Sequence, residues 1–174
     1  MSSKFIEIGW CEIKMDYYGL KIIYGKELYY VWCTCEDGDK FLTKDNKLLS
    51  FNNIQALNEY CRENQIYLAE KECTVQRIPS YFDLLNMCKK KNTVFFCKVF
   101  LDLWNLSLDI NHSFEYRNPY LDGCHHLYDK IFRGNNLNAF TLGKELYVPH
   151  FSKKEFRQIG NVLKEIYEVF AKEL

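Results

Sequence analysis

The chain has 174 residues, 48% of them hydrophobic and 17% aromatic, which is long enough for one well-buried core and short for two. Its 23 basic residues are balanced by 23 acidic ones, so the composition argues against a general nucleic-acid binder, whose affinity depends on clustered positive charge. The sequence contains no long apolar run and no signal-peptide pattern, so we expect a cytoplasmic protein without membrane contact, whose eight cysteines are reduced.

The first fifty residues are predicted to be mainly β. Short runs rich in β-branched and aromatic residues extend from Phe5 to Phe51. They are separated by turn residues, which are Tyr18-Gly19, Gly25, Asp37-Gly38 and Asp45-Asn46. Asp-Gly between alternating segments is typical of a hairpin, because its turn needs positive φ angles. We therefore predict an antiparallel β-meander of four or five strands.

Residues 51–174 are predicted to be mainly α, with four or five helices packed on this sheet. Ser50 is a candidate N-cap for a helix that ends near Asn64. A further strand is predicted over Cys73–Ile78, and Pro79-Ser80 is expected to open a second helix through about Lys90.

A long helix is predicted over Thr93–Phe114, where polar residues recur at steps of four and three. These residues are Lys98, Asp102, Asn105, Asp109 and His112. On a helix such steps form one narrow polar stripe, while apolar residues cover the other sides. The helix is therefore expected at the centre of the fold. Its stripe either reaches water or forms a hydrogen-bonded seam against a neighbouring element.

The last third of the chain contains two more helix signals. A helix is predicted near Asp122–Phe132, with Gly134-Asn135-Asn136 as its left-handed stop. An extended segment with a turn at Gly143-Lys144 follows. Ser152 and Glu155 then form a capping-box pattern, which predicts an amphipathic C-terminal helix. The chain is accordingly predicted to be a single α+β domain over residues 1–174.

Residue types that carry chemistry are present, but not in a diagnostic pattern. The sequence contains no GxSxG, GxGxxG or CxxC motif. The densest group of metal-binding residue types is Cys124-His125-His126, and the only other histidines are His112 and His150. A site formed by Asp109, His112, Cys124 and His125 would lie between the central helix and the segment after it. A small metal-binding protein or enzyme that uses this region is therefore kept as an alternative. The favoured prediction is that the protein has no catalytic residue, no metal and no cofactor.

The predicted hairpin tip carries the acidic residues Glu36, Asp37 and Asp39. Such a tip is usually only a polar turn. It is also suited to recognise a basic partner, because clustered charge at the rim of an interface speeds encounter and suppresses wrong partners. These three residues are the candidate partner-binding residues.

Four segments resemble, in their order, small bacterial immunity proteins. The segments are FLTKDNKLLSF, FLDLWNLSLDI, YDKIFRGNNLNAFT and LYVPHFSKKEFRQI. Proteins of this kind are encoded beside the toxins of contact-dependent growth-inhibition and other polymorphic toxin systems. The residues that carry the resemblance are Trp104-Asn105, Asp109, Tyr128-Asp129-Lys130, Phe132 and Gly134–Leu137.

The resemblance implies a non-catalytic cytoplasmic protein that binds the C-terminal domain of one cognate toxin, often a nuclease, in a one-to-one complex. It also implies that the motif residues form a structural polar seam between the central helix and the segment after it. The seam residues are Asp102, Asn105, Asp109, Tyr128, Asp129, Asn135 and Asn136. A structural protein that self-associates, for example as a homodimer, is the third interpretation.

Overall fold

The computed structural model describes residues 15–34, 36–89, 93–137 and 145–174. The protein has an α+β fold organised around a long antiparallel hairpin of β1 (Asp16–Tyr24) and β2 (Lys26–Thr34). Gly25 lies at the reversal between these strands with a φ of +68°, a conformation that glycine adopts without steric cost. The predicted turn at Gly25 is therefore confirmed.

The predicted turn at Tyr18-Gly19 is wrong, because both residues lie inside β1 and pair with Trp32 and Val31. The glycine is required for a different reason. A Cβ at Gly19 would lie 2.6 Å from the Cys73 sulfur, so the segment that contains Cys73 can approach β1 only because Gly19 has no side chain.

The predicted antiparallel arrangement is confirmed for the described strands up to Phe51, and the last strand makes the sheet mixed. Strands β3 (Lys40–Phe41) and β6 (Ser50–Phe51) both pair antiparallel with β2. Strands β4 (Thr43–Lys44) and β5 (Lys47–Leu48) form a separate small hairpin. The strand predicted over Cys73–Ile78 is present as β7 (Thr74–Arg77), and it runs parallel to β1. A parallel pair requires a crossover, which the intervening helix provides.

Six helices belong to the described residues, whereas four or five were predicted, because the short helix Pro119–Asp122 had no predicted counterpart. They are α1 (Ile54–Glu63), α2 (Tyr81–Lys89), α3 (Thr93–Ser113), α4 (Pro119–Asp122), α5 (His125–Gly134) and α6 (Lys153–Glu173). The predicted capping box of α6 is confirmed, since Ser152 Oγ accepts from the Glu155 backbone and the Glu155 side chain accepts from Ser152.

One predicted helix start is corrected, because Asn53 is the N-cap of α1, whereas Ser50 lies in β6. The left-handed stop predicted within Gly134-Asn135-Asn136 is present at Asn136, which has a φ of +51°, and α5 extends through Gly134. A Cβ at Gly134 would lie 2.6 Å from the Cys97 sulfur, so this glycine permits close packing of α5 on α3. The first predicted β run, beginning at Phe5, and the turn at Gly143-Lys144 lie outside the described residues.

The alternating residues of β2 divide the molecule into two apolar layers. Val31 packs with Leu57 and Cys61 of α1 on one face of the sheet. Tyr30 belongs to the main cluster on the other face, where α3 lies among α2, α5 and α6. Ten residues of α3 are buried, including Phe100 and Trp104, so its central position is confirmed. Within the described ranges, no helix is both long and apolar enough to cross a membrane.

Candidate functional site

The polar stripe of α3 faces a cleft between this helix and the sheet. Asp102, Asn105 and Asp109 line the helix side of a cavity of about 410 Å³. The other walls come from β1, β2, β7 and the loop before β7, and they include Tyr18, Trp32, Gln76 and Glu70. We call this cavity the α3–sheet cleft. The stripe is thus partly hydrogen-bonded to its neighbours and partly open to the cavity.

Asp109 is the most strongly perturbed carboxyl group of the stripe. Its Oδ2 accepts a hydrogen bond of 3.1 Å from Trp32 Nε1. Burial raises the pKa of Asp109 from 3.8 to about 6, while the indole hydrogen bond lowers it. The nearby charge of Asp39 raises the pKa further and His112 lowers it. At neutral pH the group is therefore a carboxylate that has lost part of its hydration.

Three motif residues contact one another and connect α3 to α5. Tyr128 Oη donates a hydrogen bond of 2.9 Å to Asn105 Oδ1. The Tyr128 ring meets the Trp104 ring edge to face, with centroids 5.3 Å apart. Burial raises the pKa of Tyr128, so the hydroxyl keeps its proton and remains a donor. This contact is the part of the predicted seam that joins the two helices.

The other predicted seam residues contact different elements. Asp109 connects α3 to β2 rather than to α5, and both Asp102 and Asp129 are exposed. Asn135 is the C-cap of α5 through its backbone N–H. Asn136 donates to the Tyr147 carbonyl at 2.9 Å and accepts from the Tyr147 N–H at 2.8 Å, which holds the segment before α6. The described hydrogen bonds therefore do not form one continuous seam.

The acidic hairpin tip is docked on the C-terminal end of α3. His112 Nδ1 lies 2.9 Å from the Asp39 carbonyl oxygen, which accepts the hydrogen bond. Gly38 has a φ of +118°, and a Cβ there would lie 3.0 Å from the His112 ring. Glu36 and Asp37 are exposed beside this contact. The three candidate partner-binding residues are thus held close to the stripe, which the sequence alone does not reveal.

A groove of about 530 Å³ runs along the docked tip and the end of α3. Its acidic lining residues are Asp39, Asp109, Glu115 and Asp122, and its basic ones are His112 and Arg117. An adjoining groove of about 330 Å³ adds Glu165, Glu168 and Glu173 against Lys172. We define the acidic face by Glu36, Asp37, Asp39, Glu115 and Asp122.

Two buried asparagines line both of these grooves. Asn118 donates to Glu165 Oε2 at 3.2 Å, and its own side-chain oxygen caps α4. Asn111 is only 7% exposed, and its Nδ2 has no hydrogen-bond partner among the described residues. Buried polar atoms are normally paired, so an orphaned amide beside a groove is a feature that a bound partner could explain.

Sequence reasoning missed Glu115, Asp122 and Asn111. Glu115 and Asp122 lie in the connection from α3 to α5, where isolated acidic residues carry no pattern. Asn111 lies outside the polar stripe, on a buried side of α3 where Ser107 is the neighbouring polar residue one turn earlier. Only Asn118, which precedes Pro119, carried a recognisable helix-start signal.

The residues of the alternative metal site are dispersed. His112 binds the hairpin tip, Cys124 is buried at the start of α5 and His125 is exposed. Burial raises the pKa of the Cys124 thiol. In the part of the chain that the structure describes, no three His, Cys, Asp or Glu side chains lie close enough together to hold a metal ion.

The chain matches no protein-family model, no curated protein and no solved structure. The arrangement of its own residues is therefore what a proposed function has to explain.

Proposed function

We propose that this protein is an immunity protein, which neutralises one cognate toxin domain by binding it through the acidic face. The observation that carries the proposal is the concentration of acidic side chains on one face of a chain with zero net charge. Complementary charge speeds encounter and selects the correct partner. The partner expected for this surface is a basic protein domain, such as a nuclease.

Exposed tyrosines support a protein partner for this face. Tyr116 is 56% exposed and Tyr120 is 37% exposed, and both lie in the connection that also carries Glu115 and Asp122. Tyrosine is enriched at protein interfaces because it combines a large apolar ring with a hydroxyl group. The unpaired Asn111 amide, which lines the same grooves, is available to an acceptor of the partner if the groove opens on binding.

The motif contacts are also consistent with the proposal. Trp104, Asn105 and Tyr128 contact one another inside the scaffold, not on the acidic face. A fixed scaffold with a separate recognition surface suits a protein whose partner differs from one system to the next. These three motif residues then belong to the scaffold, and the acidic face provides the specificity.

The test is to mix the purified protein with the toxin domain encoded by the adjacent gene. Binding is measured by calorimetry, and protection is measured as survival of cells that express the toxin. The variant Glu115→Lys/Asp122→Lys reverses two exposed charges of the acidic face. The matched control, Glu59→Lys/Glu63→Lys, reverses two exposed charges on α1, which packs on the opposite face of the sheet.

We expect the acidic-face variant to bind about tenfold or more weakly than the wild type, and the control to bind normally. Absence of both binding and protection with the wild-type protein would refute the immunity function. Equal weakening by both variants would instead refute the acidic face as the contact surface.

A further inference from the structure

The α3–sheet cleft is a separate recess that adjoins the acidic face. Its volume of about 410 Å³ is within the range of cavities that hold a small ligand or a buried side chain. Asp109 lines both the cleft and the groove of the acidic face, so the two lie next to each other at this residue. A partner that covers the acidic face is therefore well placed to insert a side chain into the cleft.

The charged side chains among the described residues that line the cleft are all acidic. Glu70, Asp102 and Asp109 contribute three carboxylates, and none of the described lining residues is Lys, Arg or His. Lys98 interacts with Asp102, but it lies outside the lining. The Asp109 carboxylate has accepted a hydrogen bond from Trp32 and retains further acceptor sites on its two oxygens. The cleft therefore favours a cation.

The wall opposite α3 favours a flat cation over a compact one. The rings of Tyr18 and Trp32 lie together on this wall with centroids 5.6 Å apart. A guanidinium group is planar, stacks on aromatic rings and binds a carboxylate through two parallel hydrogen bonds. An ammonium group is more strongly hydrated and lacks the flat shape.

We propose that the α3–sheet cleft is the anchor site for an arginine side chain of the cognate toxin domain. The guanidinium pairs with the carboxylate of Asp109 and lies against the ring of Trp32, while Asp102 and Glu70 add to the negative charge of the cleft. This inference rests on the proposed immunity function, because it places the arginine on the partner that covers the acidic face.

The pocket is tested first without the toxin. N-acetyl-arginine methylamide is titrated into the ¹⁵N-labelled protein, and the indole N–H signal of Trp32 is followed by NMR. The corresponding citrulline compound has the same shape without the charge, and it serves as the ligand control. The Trp32 signal is identified by its absence from the spectrum of Trp32→Phe. We expect the arginine compound to shift this signal and the citrulline compound to leave it unchanged. Equal shifts with both compounds, or no shift, would overturn the proposal.

The carboxylates are tested with Glu70→Gln/Asp102→Asn, which neutralises two exposed residues without removing a described hydrogen bond. The control is Glu59→Gln/Glu63→Gln on α1. We expect the cleft variant to bind the arginine compound about tenfold more weakly than the wild type, since each partly exposed charge pair contributes a modest amount. An unchanged affinity would contradict the assigned charges.

The last experiment measures binding of the cleft variant to the toxin domain. If the cleft holds a toxin arginine, the cleft variant loses affinity for the toxin as well as for the arginine compound. If only binding of the arginine compound is lost, the anchor proposal is overturned while the immunity function stands. If the wild-type protein does not bind the toxin at all, the immunity function fails, and the anchor proposal fails with it.

Discussion

At the scale of single residues, the Asp109 carboxylate lowers the stability of the folded protein at neutral pH. Its pKa is raised from 3.8 to about 6, chiefly by burial. The native state therefore holds the proton more strongly than the unfolded state, and stability falls as pH rises from about 4 to about 6. A shift of this size corresponds to about 3 kcal/mol. Perturbed groups of this kind are frequent at functional sites.

Replacing Asp109 by Asn tests this cost directly. The amide oxygen can still accept the hydrogen bond from Trp32 Nε1, while the charge is lost. We expect Asp109→Asn to raise the free energy of unfolding by about 2 kcal/mol above pH 7, and the gain to vanish near pH 4. The measurement is a series of urea denaturation curves across this pH range.

Asp37→Asn is the control for this series, because Asp37 is exposed on the hairpin tip. It should change stability little at any pH. If Asp109→Asn were no more stable than the wild type at neutral pH, the charge of Asp109 would have a compensating partner in the native protein.

The residue-scale features of the site could be predicted only in part. The spacing of Asp102, Asn105 and Asp109 was enough to place them on one side of a helix, because that spacing is a local property. Their contacts with Trp32 and Tyr128 are set by the packing of distant elements. Neither contact has a signal near the residues that make it.

At the scale of elements, local signals gave correct predictions and tertiary contacts caused the errors. The hairpin turn at Asp45-Asn46 has positive φ at both residues, as such a turn requires. The turn predicted at Gly19 is wrong because this glycine accommodates the Cys73 sulfur, so it marks a close approach and not a turn. Local sequence patterns likewise gave no indication that β7 pairs parallel with β1.

The contact between α5 and α6 provides an element-scale prediction. Lys130 Nζ lies 2.7 Å from Glu155 Oε1. This hydrogen bond is the largest of the effects that lower the pKa of Glu155 to about 2. The carboxylate therefore stabilises the fold above pH 4.5 and loses this effect as pH falls towards 2. We expect Glu155→Gln to lower the free energy of unfolding by about 1 kcal/mol at pH 7, as measured by urea denaturation. The expected loss is small because the ion pair is partly exposed and solvent screens its attraction.

The control for this change is Glu168→Gln, since Glu168 and Lys164 form an exposed pair at 3.6 Å. Exposed pairs contribute little, so this variant should be close to wild type. A cost for Glu155→Gln that persisted at low pH would show that packing, and not charge, explains the loss.

At the scale of the whole molecule, a net charge of zero conceals a separation of charge. The acidic face draws its residues from the β2–β3 hairpin tip and from the connection between α3 and α5. These segments are held together where His112 binds the Asp39 carbonyl of the tip and Ser113 Oγ accepts from the Phe41 N–H of β3. Composition alone therefore gave no indication of the local surface.

This separation of charge predicts how association with the toxin domain depends on salt. Steering by a local charged patch is screened at high ionic strength, so the association rate should fall about tenfold between about 0.05 M and about 0.5 M salt. The dissociation rate should change much less, because it depends on contacts already made. Stopped-flow fluorescence measures both rates. Glu115→Lys/Asp122→Lys should flatten the salt dependence, whereas Glu59→Lys/Glu63→Lys should retain it. A rate that is insensitive to salt in the wild type would mean that the partner approaches a surface other than the acidic face.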